Sequence, residues 1–163
     1  MASDIRIKSQ QQGKVLGVAG GNYRVIISGG ETGGDYAVIE MLVPPGGGPP
    51  PHCHPDTQEM FYVTEGEIEF KTEEGKQVIG PGGLINIPFG GPIHCFRNNS
   101  ASVAKLLCTV MPAGLEEIFE QIGQPAAPGE FLPVPELTEE RKKFLQHIDQ
   151  AHNQKTYPGD YLD

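Results

Sequence analysis

The stretch GGGPPPHCHPDTQEMFYVTEG, residues 46–66, decides the fold of this chain. Its first part cannot be helical, because proline removes backbone donors and glycine resists ordering. Pro55 biases the residue before it toward an extended backbone, so residues 52–54 are predicted to be extended or irregular. Residues two apart on an extended segment share a face, so His52 and His54 can reach one point. Cys53 points the opposite way and is a poor candidate ligand.

A strand is predicted to begin at Glu59, and the acidic residue at its head is unusual. Glu59, Phe61 and Val63 share one face, which is otherwise apolar. A carboxylate at the head of an inward apolar row is costly unless it is paired or bound to a metal. A cation there would remove that cost. A structural carboxylate that pairs with a lysine or the backbone is the alternative.

A third histidine opens a later predicted strand, HCFRN at residues 94–98. His94, Phe96 and Asn98 share its inward face, whereas Cys95 and Arg97 face away. The three imidazoles and one carboxylate form a plausible ligand set for one divalent metal, Fe, Mn, Ni, Co or Zn. Four protein ligands on a six-coordinate ion leave about two positions open to substrate or O₂. The lack of cysteine ligands weighs against a structural zinc site.

On both sides of these segments, the chain consists of short apolar runs separated by glycine and proline. It contains 22 glycines and 15 prolines. This pattern predicts an all-β sandwich or barrel of about nine or ten strands. The strands are expected at residues 15–18, 23–28, 36–43, 59–64, 67–71, 77–79, 84–87, 94–98 and 103–111. Residues 29–34 and 44–51 are predicted to be loops.

The C-terminal part of the chain changes from strand to helix periodicity. Leu115, Ile118, Phe119 and Ile122 fall on one face of a predicted helix, which Gly123 ends. A Pro-rich connector precedes a second helix, for which Thr138 is a suitable N-cap. From about residue 152 a loose tail is expected. The predicted organisation is an N-terminal extension at 1–14, a barrel with its following helix at 15–123, and the connector, helix and tail at 124–163.

Length, charge and cysteine content restrict the function. A chain of 163 residues indicates one domain. The net charge of −9 argues against nucleic acid and anionic membranes as partners. No apolar run is long enough for a membrane span, and Met1–Gln12 lacks the apolar region of a secretory signal, which predicts a cytoplasmic protein. Three cysteines in a reducing compartment are interpreted as thiols.

Two motifs in the chain resemble those of the cupin family. The first, G-x5-HxH-x4-E-x6-G, is matched at every spacing by Gly46, His52, His54, Glu59 and Gly66. The second, G-x5-PxG-x2-H-x3-N, is matched by Gly82, Pro88, Gly90, His94 and Asn98, with one additional residue before the histidine. The resemblance implies an antiparallel β-barrel or jelly roll of the cupin type, with short C-terminal helices, and a homodimer.

Within that family, GGGPPPHCH at 46–54 and MPAGLEEIFEQIG at 111–123 are similar to bacterial quercetin 2,3-dioxygenase-like cupins. This resemblance implies that His52, His54, Glu59 and His94 bind the metal and that Glu59 accepts a proton from a flavonol hydroxyl. It favours a metal-dependent dioxygenase acting on a small enol-containing or aromatic substrate. A metal-holding binding or sensing protein without turnover, and a metal-dependent isomerase, are the alternatives.

Several other residues have two interpretations. Met41, Phe61, Ile85 and Phe96 either line a substrate cavity or belong to the barrel core. Asn98 is predicted to be a turn or hydrogen-bonding residue. His147 and His152 are predicted to lie on a solvated helix face or tail. The helix at 115–122 is expected to pack against the barrel exterior or mouth, with a lid as the other option.

Overall fold

The computed structural model describes residues 4–163 as a mostly β structure with helices near its C-terminal end. In chain order the strands are β1 (Lys14–Val18), β2 (Gly21–Ile27), β3 (Ala37–Val43), β4 (His52–Cys53), β5 (Gln58–Glu65), β6 (Ile68–Thr72), β7 (Gly75–Ile79), β8 (Leu84–Ile87), β9 (His94–Arg97), β10 (Ala104–Met111), β11 (Gln124–Pro125) and β12 (Lys155–Thr156). The helices are α1 (Gly29–Thr32), α2 (Leu115–Ile122) and α3 (Glu139–Ala151). The predicted all-β fold with short C-terminal helices is confirmed.

The strands form two antiparallel sheets in the manner of a jelly roll. The seven-stranded sheet has the order β11-β1-β2-β3-β10-β5-β8, and the five-stranded sheet has the order β12-β4-β9-β6-β7. His52 of β4 is paired directly with His94 of β9, so the two histidine segments are neighbours in one sheet. Glu59 lies on β5 of the other sheet. The candidate ligands therefore come from both sheets.

Strict alternation along the central strands builds the core between the sheets. In β3 and β10 every second residue is buried and the residues between them are partly exposed. This is the period of two expected for a strand with one face turned to the core. Phe61 and Phe96, from opposite sheets, meet edge to face with ring centroids 5.3 Å apart. Aromatic pairs of this geometry tie the two sheets together at the centre of the molecule.

One predicted loop contains a short helix. Residues 29–34 were expected to be a loop because four of the six are glycine, yet Gly29–Thr32 forms a single helical turn. Ser28 and Glu31 explain the difference, since the Ser28 backbone N–H donates to the Glu31 carboxylate over 3.1 Å. This is the reciprocal arrangement of a capping box, which satisfies backbone donors that helix formation leaves free.

The segment after α2 is more ordered than the sequence predicts. Thr138 caps α3 as predicted, because its hydroxyl accepts from the Arg141 backbone N–H at 3.1 Å. The expectation of a loose tail from about residue 152 is wrong. β12 pairs with β4, and the Tyr157 N–H donates to the Pro51 carbonyl oxygen over 2.8 Å. Backbone pairing with an unsatisfied strand edge thus orders a segment that is too short for alternation to predict a strand.

Residues 4–14 of the predicted N-terminal extension are exposed. Residues 1–3 of the proposed N-terminal extension lie outside the described residues, and Ile5 and Ile7 are exposed. The boundaries at residues 14 and 123 stay a prediction. Among residues 4–163 no helix combines the length and apolarity that crossing a bilayer requires.

Gly48, four residues before His52, is predicted to tolerate no side chain. Its φ is +140°, and an added Cβ would lie 2.0 Å from the Phe96 carbonyl oxygen. Gly48→Ala should therefore lower the free energy of unfolding by about 3–5 kcal/mol, because a backbone clash adds to the strain of a positive φ. Gly46→Ala is the matched control, since Gly46 also has a positive φ but an added Cβ there would meet no atom within 4 Å. Urea unfolding should show that Gly46→Ala lowers the free energy of unfolding by about 1–2 kcal/mol. An equal loss in the two variants would contradict the prediction.

Candidate metal centre

Four side chains converge between the two sheets. Ligand atoms of His52, His54, Glu59 and His94 all lie within 4.8 Å of one another. The imidazole centroids are 4.5 Å apart for His52 and His94, 5.0 Å for His54 and His94, and 5.6 Å for His52 and His54. The structure therefore brings together all four residues that strand parity and the motif spacing selected. Cys53 and Cys95 lie outside this cluster.

Backbone carbonyls determine which nitrogen of each imidazole faces the centre. Each Nδ1 lies beside a carbonyl oxygen: His94 with Pro92 at 2.8 Å, His52 with Pro50 at 2.9 Å, and His54 with Thr57 at 3.3 Å. A carbonyl can only accept, so each Nδ1 carries the proton and donates it. The Nε2 atoms are thereby left as the nitrogens for a metal, with their rings held in orientation by the backbone.

The donor set fits a divalent transition metal. Within residues 4–163, His94 Nε2 is the one fully buried side-chain nitrogen or oxygen atom that has no hydrogen-bond partner. It lies 3.6 Å from Glu59 Oε2, beyond a good hydrogen bond. An unpartnered polar atom in the interior is costly, and a cation bound by Nε2 would remove the cost. Imidazole and carboxylate ligands suit iron, manganese, cobalt, nickel and zinc alike.

Glu59 is an ionised carboxylate in the interior of the protein. Its side chain is 2 % exposed. Burial alone would raise the pKa of Glu59, but the hydrogen bond from His54, together with the nearby His94, outweighs burial and lowers the pKa. The two oxygens have different partners: Oε2 lies 2.8 Å from His54 Nε2, and Oε1 accepts the thiol of Cys108 at 3.2 Å. Burial raises the pKa of that thiol well above its usual range, so Cys108 remains a donor.

The histidines differ in their protonation. Burial and the neighbouring His94 lower the pKa of His52 to about 4, so this imidazole is neutral near pH 7. Burial alone would lower the pKa of His54, but its hydrogen bond to Glu59 and the charge of that carboxylate raise it. Both nitrogens of His54 face acceptors, so the doubly protonated ring fits these two contacts. A metal bound at Nε2 would displace this proton, which couples metal binding to proton release.

A cavity of about 490 Å³ adjoins His52 and Glu59. Met41, Phe61 and Phe96 line it from the sheets, while Ile85 is not among its lining residues and packs in the core. Residues of α2 and α3 form the facing wall, so the helix at 115–122 covers the mouth of the jelly roll. The contact of Met41, Phe61 and Phe96 with a substrate stays a prediction.

Two residues at the centre were not singled out from the sequence. Tyr23 lines the cavity and packs edge to face on Phe119, with ring centroids 5.1 Å apart. Burial, with the negative charge nearby, raises the pKa of Tyr23, so its hydroxyl stays protonated. Cys108 lies between Leu106 and Val110 on the buried face of β10. Strand parity places both side chains inside, but parity does not show that they approach Glu59 or the cavity.

Asn98, His147 and His152 lie outside the candidate metal centre. The Asn98 side chain donates to the carbonyl oxygens of Val43 at 2.9 Å and Ser102 at 2.7 Å, which confirms its hydrogen-bonding role. His147 is exposed on α3. His152 follows α3, and its Nε2 lies 3.0 Å from the Gln121 amide nitrogen Nε2. Neither histidine belongs to the candidate centre.

β12 is predicted to support metal binding without contacting the metal. β4 has only two residues and a single paired position with β9, so pairing with β12 is a large part of its support. Deletion of residues 152–163 should weaken metal affinity about tenfold or more, the loss typical of removing an outer-shell partner. Competition with a chelator measures this affinity. Deletion of residues 158–163 alone keeps β12 and is the control, and an equal loss in both variants would contradict the prediction.

Comparisons with known proteins agree with this geometry. Residues 39–110 match the family described as the cupin domain. Quercetin 2,3-dioxygenase from Bacillus subtilis (strain 168) is 24% identical over 127 residues, which are 78% of this chain and 37% of the dioxygenase. The chain thus spans little more than a third of the length of that relative.

Solved structures show a shared fold. KdgF from Halomonas sp. superposes with a TM-score of 0.61 and 16% identity, covering 70% of this chain and 99% of KdgF. The polyketide cyclase RemF from Streptomyces resistomycificus superposes with a TM-score of 0.59 and 20% identity, covering 88% of this chain and 94% of RemF. At these identities the likeness concerns the fold and not the reaction.

Proposed function

We propose that this chain, whose residues 39–110 match the cupin domain family, is a metal-dependent oxidoreductase of the dioxygenase type. Its substrate would be a small molecule with an enol or aromatic ring, as in flavonols. The observation that carries the proposal is a cluster of three imidazoles and one carboxylate, with ligand atoms within 4.8 Å of one another, beside a cavity of about 490 Å³. The similarity to a quercetin 2,3-dioxygenase supports this choice of chemistry.

The metal would supply Lewis acidity and open positions for a substrate oxygen and O₂. The chain supplies the rest. His52, His54 and His94 hold their Nε2 atoms toward one point through their Nδ1 contacts with the backbone. The sheets and the helices α2 and α3 surround the cavity with mainly apolar side chains, which would strengthen electrostatic interactions with a bound substrate.

Glu59 is proposed as both metal ligand and general base. The Cys108 thiol engages Oε1, which leaves Oε2 turned toward the imidazoles as the oxygen that can take a proton. A substrate hydroxyl that enters from the cavity would meet this oxygen. A buried, ionised carboxylate at hydrogen-bond distance from the hydroxyl is the arrangement that general-base catalysis needs.

Oxygen consumption tests the proposal. Protein loaded separately with Fe, Mn, Ni or Co is mixed with quercetin or 3-hydroxyflavone, and oxygen uptake and substrate loss are followed together. Stoichiometric uptake with at least one metal is expected. Absence of uptake with all four metals would contradict a dioxygenase. Conversion without oxygen would instead favour an isomerase, and thermal stabilisation without conversion would favour a binding protein.

A further inference from the structure

The cavity beside the metal centre contains a cation that has no anionic partner. Arg141 of α3 lines the cavity and is partly buried. Its guanidinium makes one hydrogen bond, a long one of 3.4 Å from Nη2 to the Ile122 carbonyl oxygen. Among the ion pairs of residues 4–163, none involves Arg141. A guanidinium has five N–H donors, so most of its bonding capacity remains available.

The other charged residues of α3 at this cavity have local partners. Lys142 Nζ is 2.6 Å from the Glu139 carboxylate. The Asp149 carboxylate accepts from the Gln154 amide at 3.2 Å. Asp149 also lies two helical turns from Arg141, about 12 Å along the helix axis, so it does not neutralise the guanidinium. Among the arginine and lysine side chains of residues 4–163 that line the cavity, Arg141 is the one that lacks a counter-charge.

Arg141 lies at the opposite end of the cavity from the metal centre. The C-terminal end of α3 leads into β12, which pairs with His52. The N-terminal end of α3 meets Ile122, just before β11 at the far edge of the seven-stranded sheet. From β1, next to β11, to β5 there are four strand spacings, about 19 Å along the curved sheet. On the side of the sheets, the wall between includes Tyr23, Met41, Phe61 and Phe96.

We propose that this cavity binds an elongated amphipathic molecule whose carboxylate pairs with Arg141 while its oxygen donors face the metal centre. The inference rests on the proposed function, because it assigns the same cavity to the substrate. The planar guanidinium matches a carboxylate with two parallel hydrogen bonds. A partly desolvated cation in an apolar wall is costly alone, and an anionic ligand group offsets that cost.

Binding to the metal-free protein isolates this end of the cavity. The probes are 2-naphthoate and 2-naphthamide, which share a ring system and differ in charge, and calorimetric titration gives their dissociation constants. The wild-type protein should prefer the carboxylate by about tenfold, as a charge-assisted hydrogen-bond pair suggests. Arg141→Gln should remove this preference, and Arg141→Lys should keep part of it. Lys143→Gln is the control, because it removes the same charge from an exposed neighbour outside the cavity.

Equal affinities of the wild-type protein for the two probes, including no detectable binding of either, would overturn the inference. A preference that persists in Arg141→Gln, or that Lys143→Gln removes equally, would also overturn it. Unchanged melting temperatures of the variants establish that the fold is retained. The test uses neither metal nor oxygen. A failed oxygen-uptake experiment with an intact carboxylate preference would therefore reject the dioxygenase alone.

Discussion

Replacing His94 with alanine should reduce the metal content of the purified protein from about one ion per chain to background. His94 Nε2 is fully buried and has no hydrogen-bond partner. The Pro92 carbonyl oxygen holds the ring in orientation through Nδ1. The ring has no other interaction that would use Nε2. Loss of a direct ligand should weaken affinity by more than about a hundredfold, the upper range for loss of an outer-shell partner.

Elemental analysis and chelator competition measure the effect for each variant. His94→Gln is a second variant that retains more of the side-chain volume beside Phe70, whose ring lies 5.9 Å from the His94 ring. His147→Ala is the matched control, because His147 is exposed on α3 and lies outside the centre. Full metal content in both His94 variants would reject the site.

Glu59→Gln should reduce turnover by about 10²–10⁴-fold, the range supported by general acid–base catalysis. The amide is nearly the same shape, so it can still accept the Cys108 thiol at Oε1. It cannot take a proton from a substrate hydroxyl near pH 7, and it brings no negative charge to the metal. Metal affinity should fall as well, but by a smaller factor than in the histidine variants, since three imidazoles remain.

The measurement is oxygen uptake at saturating metal, so that the loss of affinity does not limit the rate. Glu67→Gln is the control, because it makes the same chemical change on an exposed position of the connection between β5 and β6. The proposed base is wrong if Glu59→Gln at full metal occupancy retains the wild-type rate. If uptake is lost only because metal is lost, Glu59 acts as a ligand alone.

The candidate ligands could be predicted because the signals that place them are local. His52 and His54 are separated by one residue on an extended segment, and Glu59 follows within a few positions. Parity along each strand is enough to turn them inward and to turn Cys53 away. The proline two positions before both His52 and His94, whose carbonyl orients the ring, is also readable from the sequence.

The cavity could not be predicted in the same way, because it depends on where distant segments dock. Phe61 and Ile85 are directly paired across β5 and β8, and both point inward, yet only Phe61 lines the cavity. An inward direction does not reveal which part of the core is left open. Periodicity likewise predicts α3 but not the surface that α3 covers, since a Pro-rich connector sets no fixed direction.

The pairing of β12 with β4 affects when the metal centre can be completed during protein synthesis. Lys155 and Thr156 emerge from the ribosome about 100 residues after the histidine segment that they support, which corresponds to about 5–20 seconds of translation. Until then the nascent chain can present its imidazoles only on a partly supported strand. Stable metal loading is therefore expected to follow translation of the C-terminal segment, which disfavours the capture of an ion by an unfinished chain.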